Sequence, residues 1–160
     1  MKIPIVNEQD EIIGYKEREG KNPKDISRIT GLWLKDREGN VLLAQRSFRK
    51  KKSPGLWGPS AAGTVEEGET YESNIIKEAE EEIGLIGLKP IAGPKIRASA
   101  SHEFFGQWFI ASIDHDYPFK KQDEEVESIK WFTKNELEKL LKEQPEMFVS
   151  GFKKYYDLFK

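Results

Sequence analysis

Cysteine is absent from the chain, and that absence removes several kinds of chemistry at once. Without a thiol there is no disulfide framework, no thiolate zinc site and no cysteine nucleophile. No apolar run approaches the roughly 18 residues of a membrane span. Residues 1–10 also lack the basic and apolar regions of a signal peptide. These absences together predict a cytoplasmic protein with no membrane partner.

An excess of charge of one sign is absent as well. The 26 lysines and arginines nearly balance the 28 aspartates and glutamates, so the formal net charge is −2. Such a balance creates no global field that would attract a nucleic-acid polymer or an anionic membrane. With 160 residues, of which 37% are hydrophobic, the chain has the length and the apolar content of one globular domain. We therefore expect a single domain over residues 1–160, in which charge matters only where it clusters.

The apolar pattern begins as strands and then becomes mixed. Alternating β-formers predict a hairpin over residues 3–15 and a second strand pair around the turn Arg37–Asn40, followed by a loop at Lys50–Gly58. Helical spacing predicts a helix from Thr70 to Ile83, with Gly84 as its stop. Further strands are predicted over 95–100, 104–113 and 126–132, and further helices after the capping box Thr133–Glu136 and over the aromatic segment 148–159. Strands interleaved with a few helices predict a mixed sheet with helices on its faces.

The first predicted helix carries an unusual excess of acid. Between Glu66 and Glu82, eight glutamates accompany one basic residue, Lys77. At about 100° per residue, Glu78, Glu81 and Glu82 fall on one face of the helix. Like charges at this spacing repel by about a few tenths of a kcal/mol per pair unless a cation lies between them. Oxygen ligands of this kind suit Mg²⁺, although a solvated acidic face would show the same pattern.

The spacing around this helix resembles a known signature. Gly63, Glu69, Lys77-Glu78, Glu81-Glu82 and Gly84-Leu85 follow the pattern G-x5-E-x7-R-E-U-x-E-E-x-G-U of the Nudix hydrolases, in which U is aliphatic. The arginine is the one fixed position that differs, because this chain has lysine there, and alanine is a small choice for the first U. So many fixed positions make the match far more specific than a short glycine motif. The resemblance implies an α/β (α+β) fold, the Nudix α/β/α sandwich, with the box at residues 63–85.

The resemblance also implies a metal site and a reaction. The box would hold Mg²⁺ or Mn²⁺, and one of its glutamates, or a later one, would activate water for attack on a phosphorus of a diphosphate linkage. The implied metal ligands are the Gly63 carbonyl, Glu78, Glu81, Glu82 and the later Glu125, with Glu124 as the competitor of Glu125; the implied catalytic residues are Lys77, Glu78, Glu81 and Glu82. In the family, the arginine orients the catalytic glutamate. Lys77 keeps that charge but loses the bidentate fork, which implies a looser orientation.

Five positive charges lie in the seven residues 46–52, just before the box. Substrate phosphates would meet these side chains on one side and a cation on the other, so we expect Arg46, Lys50 and Lys52 to bind a small phosphorylated substrate. For any single lysine, a basic run that is merely solvated is the alternative. Five aromatic residues could stack on a base or a prenyl group or could belong to the core: Trp57, Phe104, Phe105, Trp108 and Trp131.

Residues 46–63, with Pro54–Trp57 inside them, look most like the isopentenyl-diphosphate-isomerase-like branch of this family. The isomerase needs a cysteine and histidine ligands, but a gapless register places Ala62, Thr64 and Ser27 at those positions. The resemblance therefore implies a hydrolase of a nucleoside diphosphate-X or related substrate rather than an isomerase. Isomerisation and a non-catalytic binding or regulatory role are the alternatives. The sequence leaves open whether the chain forms a homodimer.

Overall fold

The computed structural model, which describes residues 1–160, contains nine strands and three α-helices. The strands are β1 Lys2–Val6, β2 Ile12–Glu17, β3 Ile26–Lys35, β4 Val41–Arg46, β5 Trp57–Gly58, β6 Ala61–Thr64, β7 Ile91–Ser99, β8 Glu103–Ser112 and β9 Val126–Phe132. The helices are α1 Tyr71–Ile83, α2 Lys134–Glu143 and α3 Phe152–Phe159. None of the three helices has the length and apolar character of a membrane span.

The long strand β3 is the centre of the sheet. It runs parallel to β8 from the pair Ile26–Glu103 to the pair Lys35–Ser112. It pairs antiparallel with β1, β4 and β6, while β7 extends the sheet beyond β8, and β5 and β9 both pair with β4. One parallel pairing among antiparallel ones makes the sheet mixed, as the sequence predicts.

Alternation along β3 divides the core between the two faces of the sheet. Leu32 and Leu34 belong to the apolar cluster that contains Ile75 and Ile83 of α1. Trp33, between them in sequence, belongs to the cluster formed with α2 and α3. Because neighbouring residues of a strand point to opposite faces, α1 covers one face and the other two helices cover the opposite one. The predicted α/β/α sandwich is thereby confirmed.

Local signals set both ends of α1. The Thr70 hydroxyl accepts the Ser73 N–H, and the Ser73 side chain returns to the Thr70 backbone, which forms a capping box. At the other end, Gly84 has a φ of 68° in the left-handed region, and its N–H donates to the carbonyls of Ala79 and Glu80. The helix therefore begins and ends where the sequence predicts.

Several boundaries differ from the sequence expectation, and two of the differences have a clear backbone reason. Strand β7 begins at Ile91 rather than at residue 95, because a register shift beside Pro94 interrupts the alternation that marks a strand. The predicted loop at 50–58 ends in the short strand β5. The helix expected over 148–159 begins only at Phe152, because Gly151 has a φ of 80°. Phe148 lies before the helix and forms a bridge with Trp57.

The segment between β8 and β9 folds back onto the end of α1. The Lys120 N–H donates to the Ile83 carbonyl at 3.0 Å, and the Gln122 N–H donates to the Glu82 carbonyl at 2.9 Å. A Cβ at Gly84 would lie 2.9 Å from the Lys120 carbonyl oxygen, so the two backbones touch. This return places Glu125 beside the acidic helix.

Candidate active site

Glycine at the start of the box allows a carboxylate to approach the sheet. A Cβ at Gly63 would lie 2.5 Å from Cγ of Glu78 and 2.6 Å from its Cδ, closer than any side chain tolerates. Burial raises the pKa of Glu78 to about 7; the charge of Lys77 opposes that rise, and Glu81 adds to it. Because Gly63 has no side chain, the half-buried carboxylate of Glu78 can lie against β6.

Glu82 reaches the same strand from the next turn of the helix. Its Oε1 accepts the Ala62 N–H at 3.1 Å, and no lysine or arginine lies within ion-pairing distance of its carboxylate. Burial raises the pKa of Glu82 to about 8; the Ala62 N–H opposes the rise, while the charges of Glu78 and Glu125 add to it. Two half-buried carboxylates on adjacent turns therefore repel each other beside β6.

Lys77, at the position of the family arginine, is bound mainly to other glutamates. Its Nζ lies 2.5 Å from Oε2 of Glu66 and 2.7 Å from Oε2 of Glu69, but 3.9 Å from Oε1 of Glu78. Burial disfavours the charge on Lys77, yet the hydrogen bonds to Glu66 and Glu69 outweigh it and raise the lysine pKa. Lys77 thus ties the loop before α1 to the helix.

Asn74 is a residue of this site that the sequence reasoning missed. It is fully buried on α1, where its Oδ1 accepts the Thr30 hydroxyl at 2.5 Å. Its Nδ2 donates to the Thr64 carbonyl and to Oε1 of Glu69, both at 3.0 Å. An amide on an otherwise apolar helix face was the available signal, because a buried polar side chain needs partners.

The structure does not draw the predicted carboxylates into a finished metal cluster. No three acidic or histidine side chains lie together as a group that could hold a metal ion. The charges of Glu78 and Glu125 raise the pKa of Glu82, which places these carboxylates near one another, but Glu81 is exposed. Glu80 and Glu124 are exposed as well.

Glu125 already has a cationic partner. Its Oε2 lies 2.5 Å from Nζ of Lys50, and its backbone carbonyl accepts the Ser47 N–H at 3.0 Å. The predicted late acidic residue and one predicted substrate lysine are therefore paired with each other. This pair joins the basic loop to the segment that returns to α1.

The other two predicted cations line a cavity of about 360 Å³. Arg46 donates from Nε to the Lys52 carbonyl at 2.9 Å, which fixes the basic loop on the end of β4. Lys52 lines the cavity beside it, whereas Lys50 does not. Glu82 and Glu125 also line the cavity, so its lining contains both basic and acidic side chains.

Part of the cavity lining is aromatic. The walls there include His102, Phe104, Trp108 and Tyr155. Of the five aromatic residues considered from sequence, Phe104 and Trp108 thus line the cavity. Phe105 lies in the small cluster near β1, Trp57 packs at the edge of the α2–α3 core, and Trp131 stacks on His115 elsewhere on the surface.

The oxygen donors around Glu78 and Glu82 fit a divalent cation. Half-buried carboxylates carry a large desolvation penalty unless a positive charge compensates them. Glu82 has no cation within ion-pairing distance, and Nζ of Lys77 is 3.9 Å from Glu78. The available donors are carboxylate and carbonyl oxygens, the ligands that Mg²⁺ and Mn²⁺ accept.

Fold and site together define a hydrolase that carries its glutamates on one helix beside a mixed sheet. The NUDIX domain family model matches residues 26–152, and the chain belongs to that family. The uncharacterized Nudix hydrolase YfcD of Escherichia coli K12 is 30% identical over 138 residues, covering 84% of this chain and 75% of the relative. An isopentenyl-diphosphate delta-isomerase of Photobacterium profundum is 27% identical over 160 residues, covering 94% and 89%.

Solved structures are similar to this chain in fold. DR0079 of Deinococcus radiodurans superposes with a TM-score of 0.81 and 20% identity, covering 100% of both chains. The NUDIX domain of Shewanella oneidensis NrtR, solved with ADP ribose, gives a TM-score of 0.67 with 16% identity, covering 89% of this chain and 90% of the other. At these identities the likeness concerns the architecture alone.

Proposed function

We propose that residues 1–160 form a single cytoplasmic Nudix domain that hydrolyses a diphosphate linkage with Mg²⁺ or Mn²⁺. The substrate class is a nucleoside diphosphate linked to a second group, or a related small phosphorylated molecule. The observation that carries this proposal is the pair of half-buried carboxylates, Glu78 and Glu82, beside a cavity lined by Arg46 and Lys52. A divalent cation would compensate the negative charge of the carboxylates, and a polyanionic substrate would compensate the positive charge of Arg46 and Lys52.

The proposed ligands are the Gly63 carbonyl, Glu78, Glu81, Glu82 and Glu125. A bound divalent ion would polarise a phosphoryl oxygen and lower the pKa of water. Water attacks phosphorus, one of the glutamates takes its proton, and the bond from phosphorus to the bridging oxygen breaks to leave two phosphorylated products. Arg46 and Lys52 would hold phosphate oxygens.

Two basic residues have supporting roles in this proposal. Lys50 would exchange its bond with Glu125 for a substrate phosphate as Glu125 joins the metal ligands. Lys77 would act as a positioning residue, because it fixes Glu66 and Glu69 and thereby the loop that leads into α1.

Phosphate release from a panel of diphosphate compounds, with Mg²⁺ or Mn²⁺ and a coupled phosphatase, tests the proposal. Glu82→Gln keeps the shape of the side chain and removes its charge, so we expect turnover to fall about a hundredfold or more. Glu80→Gln is the matched control, because Glu80 is exposed on the same helix. Equal activity of both variants would refute the assignment of the site.

Isopentenyl diphosphate isomerisation is the second candidate, since an isomerase of Photobacterium profundum matches nearly the whole chain. Against it, the chain has no cysteine, and the gapless register puts Ala62, Thr64 and Ser27 at the positions of the cysteine and histidines. Formation of the allylic isomer from isopentenyl diphosphate, followed by proton NMR, would overturn the preference for hydrolysis.

A non-catalytic binding or regulatory domain is the third candidate, suggested by the lysine at the arginine position of the box. Calorimetry that detects substrate binding under Mg²⁺ or Mn²⁺, together with no turnover across the panel, would support this reading. The oligomeric state is a separate question that sedimentation answers; a homodimer is compatible with each of the three candidates.

A further inference from the structure

Gly106 forms the floor of the aromatic part of the cavity. Phe104, Gly106 and Trp108 alternate along β8 and line the cavity from the α3 side of the sheet. A Cβ at Gly106 would lie 3.4 Å from the Phe104 ring, 3.5 Å from Ile96 and 3.6 Å from Ile29, all of which also line the cavity. The floor therefore has no side chain at Gly106, and the aromatic rings of Phe104 and Trp108 lie two residues away on either side.

Packing fixes the rings around this floor. The Trp108 ring lies directly over Gly31, where a Cβ would be only 2.8 Å from it. Its centroid is 4.8 Å from that of Tyr155, at an interplanar angle of 57°. On the other side, His102 and Phe104 have centroids 4.9 Å apart. Rigid rings present aromatic surface to a ligand without losing much side-chain freedom.

The hydroxyl of Tyr155 has no hydrogen-bond partner within the protein, although the residue is half-buried and lines the cavity. The next residue behaves differently, because the Tyr156 hydroxyl donates to Glu138 at 3.0 Å. Burial raises the pKa of Tyr155, so its hydroxyl keeps its proton and can both donate and accept. Tyrosine hydroxyls in apolar surroundings usually find a partner, and here the cavity is where a ligand could supply one.

We propose that this aromatic subsite, formed by His102, Phe104, Gly106, Trp108 and Tyr155, binds the base of a nucleotide substrate. Tyr155 is then a specificity-determining residue that forms a hydrogen bond with the edge of the base. The inference rests on the proposed function in one respect, namely that the substrate phosphates lie beside Glu82. Tyr155 lies outside residues 26–152, the part that the family model matches.

A base suits this subsite better than a prenyl chain does. Its flat face matches the rings, since stacking of a base on an aromatic side chain contributes about 1–3 kcal/mol. Its polar edge offers a partner to the Tyr155 hydroxyl. A prenyl chain would leave that hydroxyl unpaired, and a site built around a hydrogen bond discriminates strongly against analogues that lack it.

Calorimetry with AMP, GMP, CMP and UMP tests the role of Tyr155, because these nucleotides contain no diphosphate linkage to hydrolyse. We expect the wild-type protein to bind at least one of them more tightly than inorganic phosphate. Tyr155→Phe should weaken that nucleotide about three- to tenfold, the effect of losing one hydrogen bond. Tyr156→Phe is the matched control and should leave the affinity unchanged.

Gly106→Ala tests the floor of the subsite by adding one methyl group. The contacts of 3.4–3.6 Å are ordinary packing distances, so the variant should fold while its new methyl group occupies the position of the base. We expect nucleotide binding to weaken at least about tenfold, with inorganic phosphate binding unchanged. Gly93→Ala is the control, since a Cβ there also meets ordinary contacts of 3.4 Å, yet Gly93 does not line the cavity.

The two sets of measurements separate this inference from the proposed function. Hydrolysis of the diphosphate panel with no effect of Tyr155→Phe and Gly106→Ala on nucleotide binding would overturn the inference alone. Nucleotide binding that depends on both residues, without any hydrolysis, would overturn the proposed function and keep the subsite. Failure of all four nucleotides to bind more tightly than inorganic phosphate would also overturn the inference.

Discussion

Lys77 stands where the Nudix signature has arginine, and this difference changes which carboxylates the basic side chain at that position can bind. The ammonium of Lys77 lies within hydrogen-bonding distance of Glu66 and Glu69 but 3.9 Å from Glu78. An ammonium is a compact charge, whereas a guanidinium offers five donors in a planar fork. Lysine therefore fastens the loop before α1 while leaving Glu78 without a direct hydrogen bond.

Lys77→Arg should raise turnover, because the longer fork can bond Glu69 and Glu78 at once and orient the second carboxylate. We expect kcat to rise about two- to tenfold at saturating Mg²⁺, which corresponds to roughly one additional oriented hydrogen bond. Steady-state kinetics of the two proteins under the same conditions provide the comparison. Lys77→Met is the complementary variant and should lower both kcat and thermal stability, since Glu66 and Glu69 lose their cation. An unchanged or lower kcat for Lys77→Arg would contradict this account.

The C-terminal end of the acidic helix α1 packs against the segment between β8 and β9. Gly84 stops α1 in the left-handed region, and the same glycine touches the Lys120 backbone. Backbone hydrogen bonds from Lys120 and Gln122 to the last turn continue this contact. The segment then carries Glu125 to the cavity wall, so one glycine influences both the helix stop and the position of a proposed ligand.

Gly84→Ala should therefore lower stability more than the same change at Gly87. Both glycines have positive φ, 68° and 76°, and left-handed backbone costs an alanine about 1–2 kcal/mol. Only at Gly84 would the new Cβ meet backbone, at 2.9 Å from the Lys120 carbonyl oxygen; at Gly87 nothing lies within 4 Å. Urea unfolding of both variants measures the difference, which we expect to exceed about 1 kcal/mol. Equal losses of stability in the two variants would mean that the backbone around Lys120 shifts away from the new Cβ without cost.

Elements governed by local signals are the ones the sequence predicts well. The start of α1 at Thr70, its stop at Gly84 and the alternation along β3 depend on neighbouring residues, and the structure agrees with each of them. The start of β7 was missed because Pro94 breaks the alternation, and the start of α3 was missed because the conformation of Gly151 does not follow from its neighbours.

Contacts between distant residues could not be predicted in this way. The spacing of the box puts three glutamates on one helix face, but burial of Glu78 and Glu82 depends on Gly63 and Ala62 of β6. The pairing of Lys50 with Glu125 joins residues 75 positions apart. The membership of Tyr155 in the cavity wall likewise depends on how α3 packs on Trp108. Such facts follow from the tertiary fold and not from any local pattern.

At the scale of the whole molecule, the buried carboxylates couple the site to folding stability. Glutamate in an unfolded chain ionises near pH 4.5, whereas the pKa values of Glu78 and Glu82 in the folded protein are about 7 and about 8. At pH values between 4.5 and these folded-state pKa values, the folded protein keeps protons that the unfolded chain has released. Raising the pH through that window therefore removes stability in the metal-free protein.

Other groups contribute in different ranges of pH. Burial works against the charges of Asp10 and Asp36, but hydrogen bonds outweigh it and lower both pKa values below 3.8; their stabilisation is present at neutral pH and lost only in acid. Burial lowers the pKa of His102 below 6.5, assisted by nearby lysine charges, so this residue adds stability as the pH rises toward 6.5. Above about pH 6.5 the two glutamates are thus the main buried side chains that still titrate.

We expect the melting temperature of the metal-free protein to fall by on the order of several degrees between about pH 6.5 and 8.5. Glu82→Gln should reduce that fall, since the amide has no proton to release, and at the upper pH the variant should melt above the wild-type protein. Melting curves of both proteins in EDTA measure the effect, with Glu80→Gln as the exposed control. Addition of Mg²⁺ should restore the wild-type melting temperature at the upper pH, because a cation offsets the repulsion that deprotonation creates. Parallel pH profiles for wild type and Glu82→Gln would show that Glu82 ionises near its ordinary pKa and that its burial does not link the site to stability.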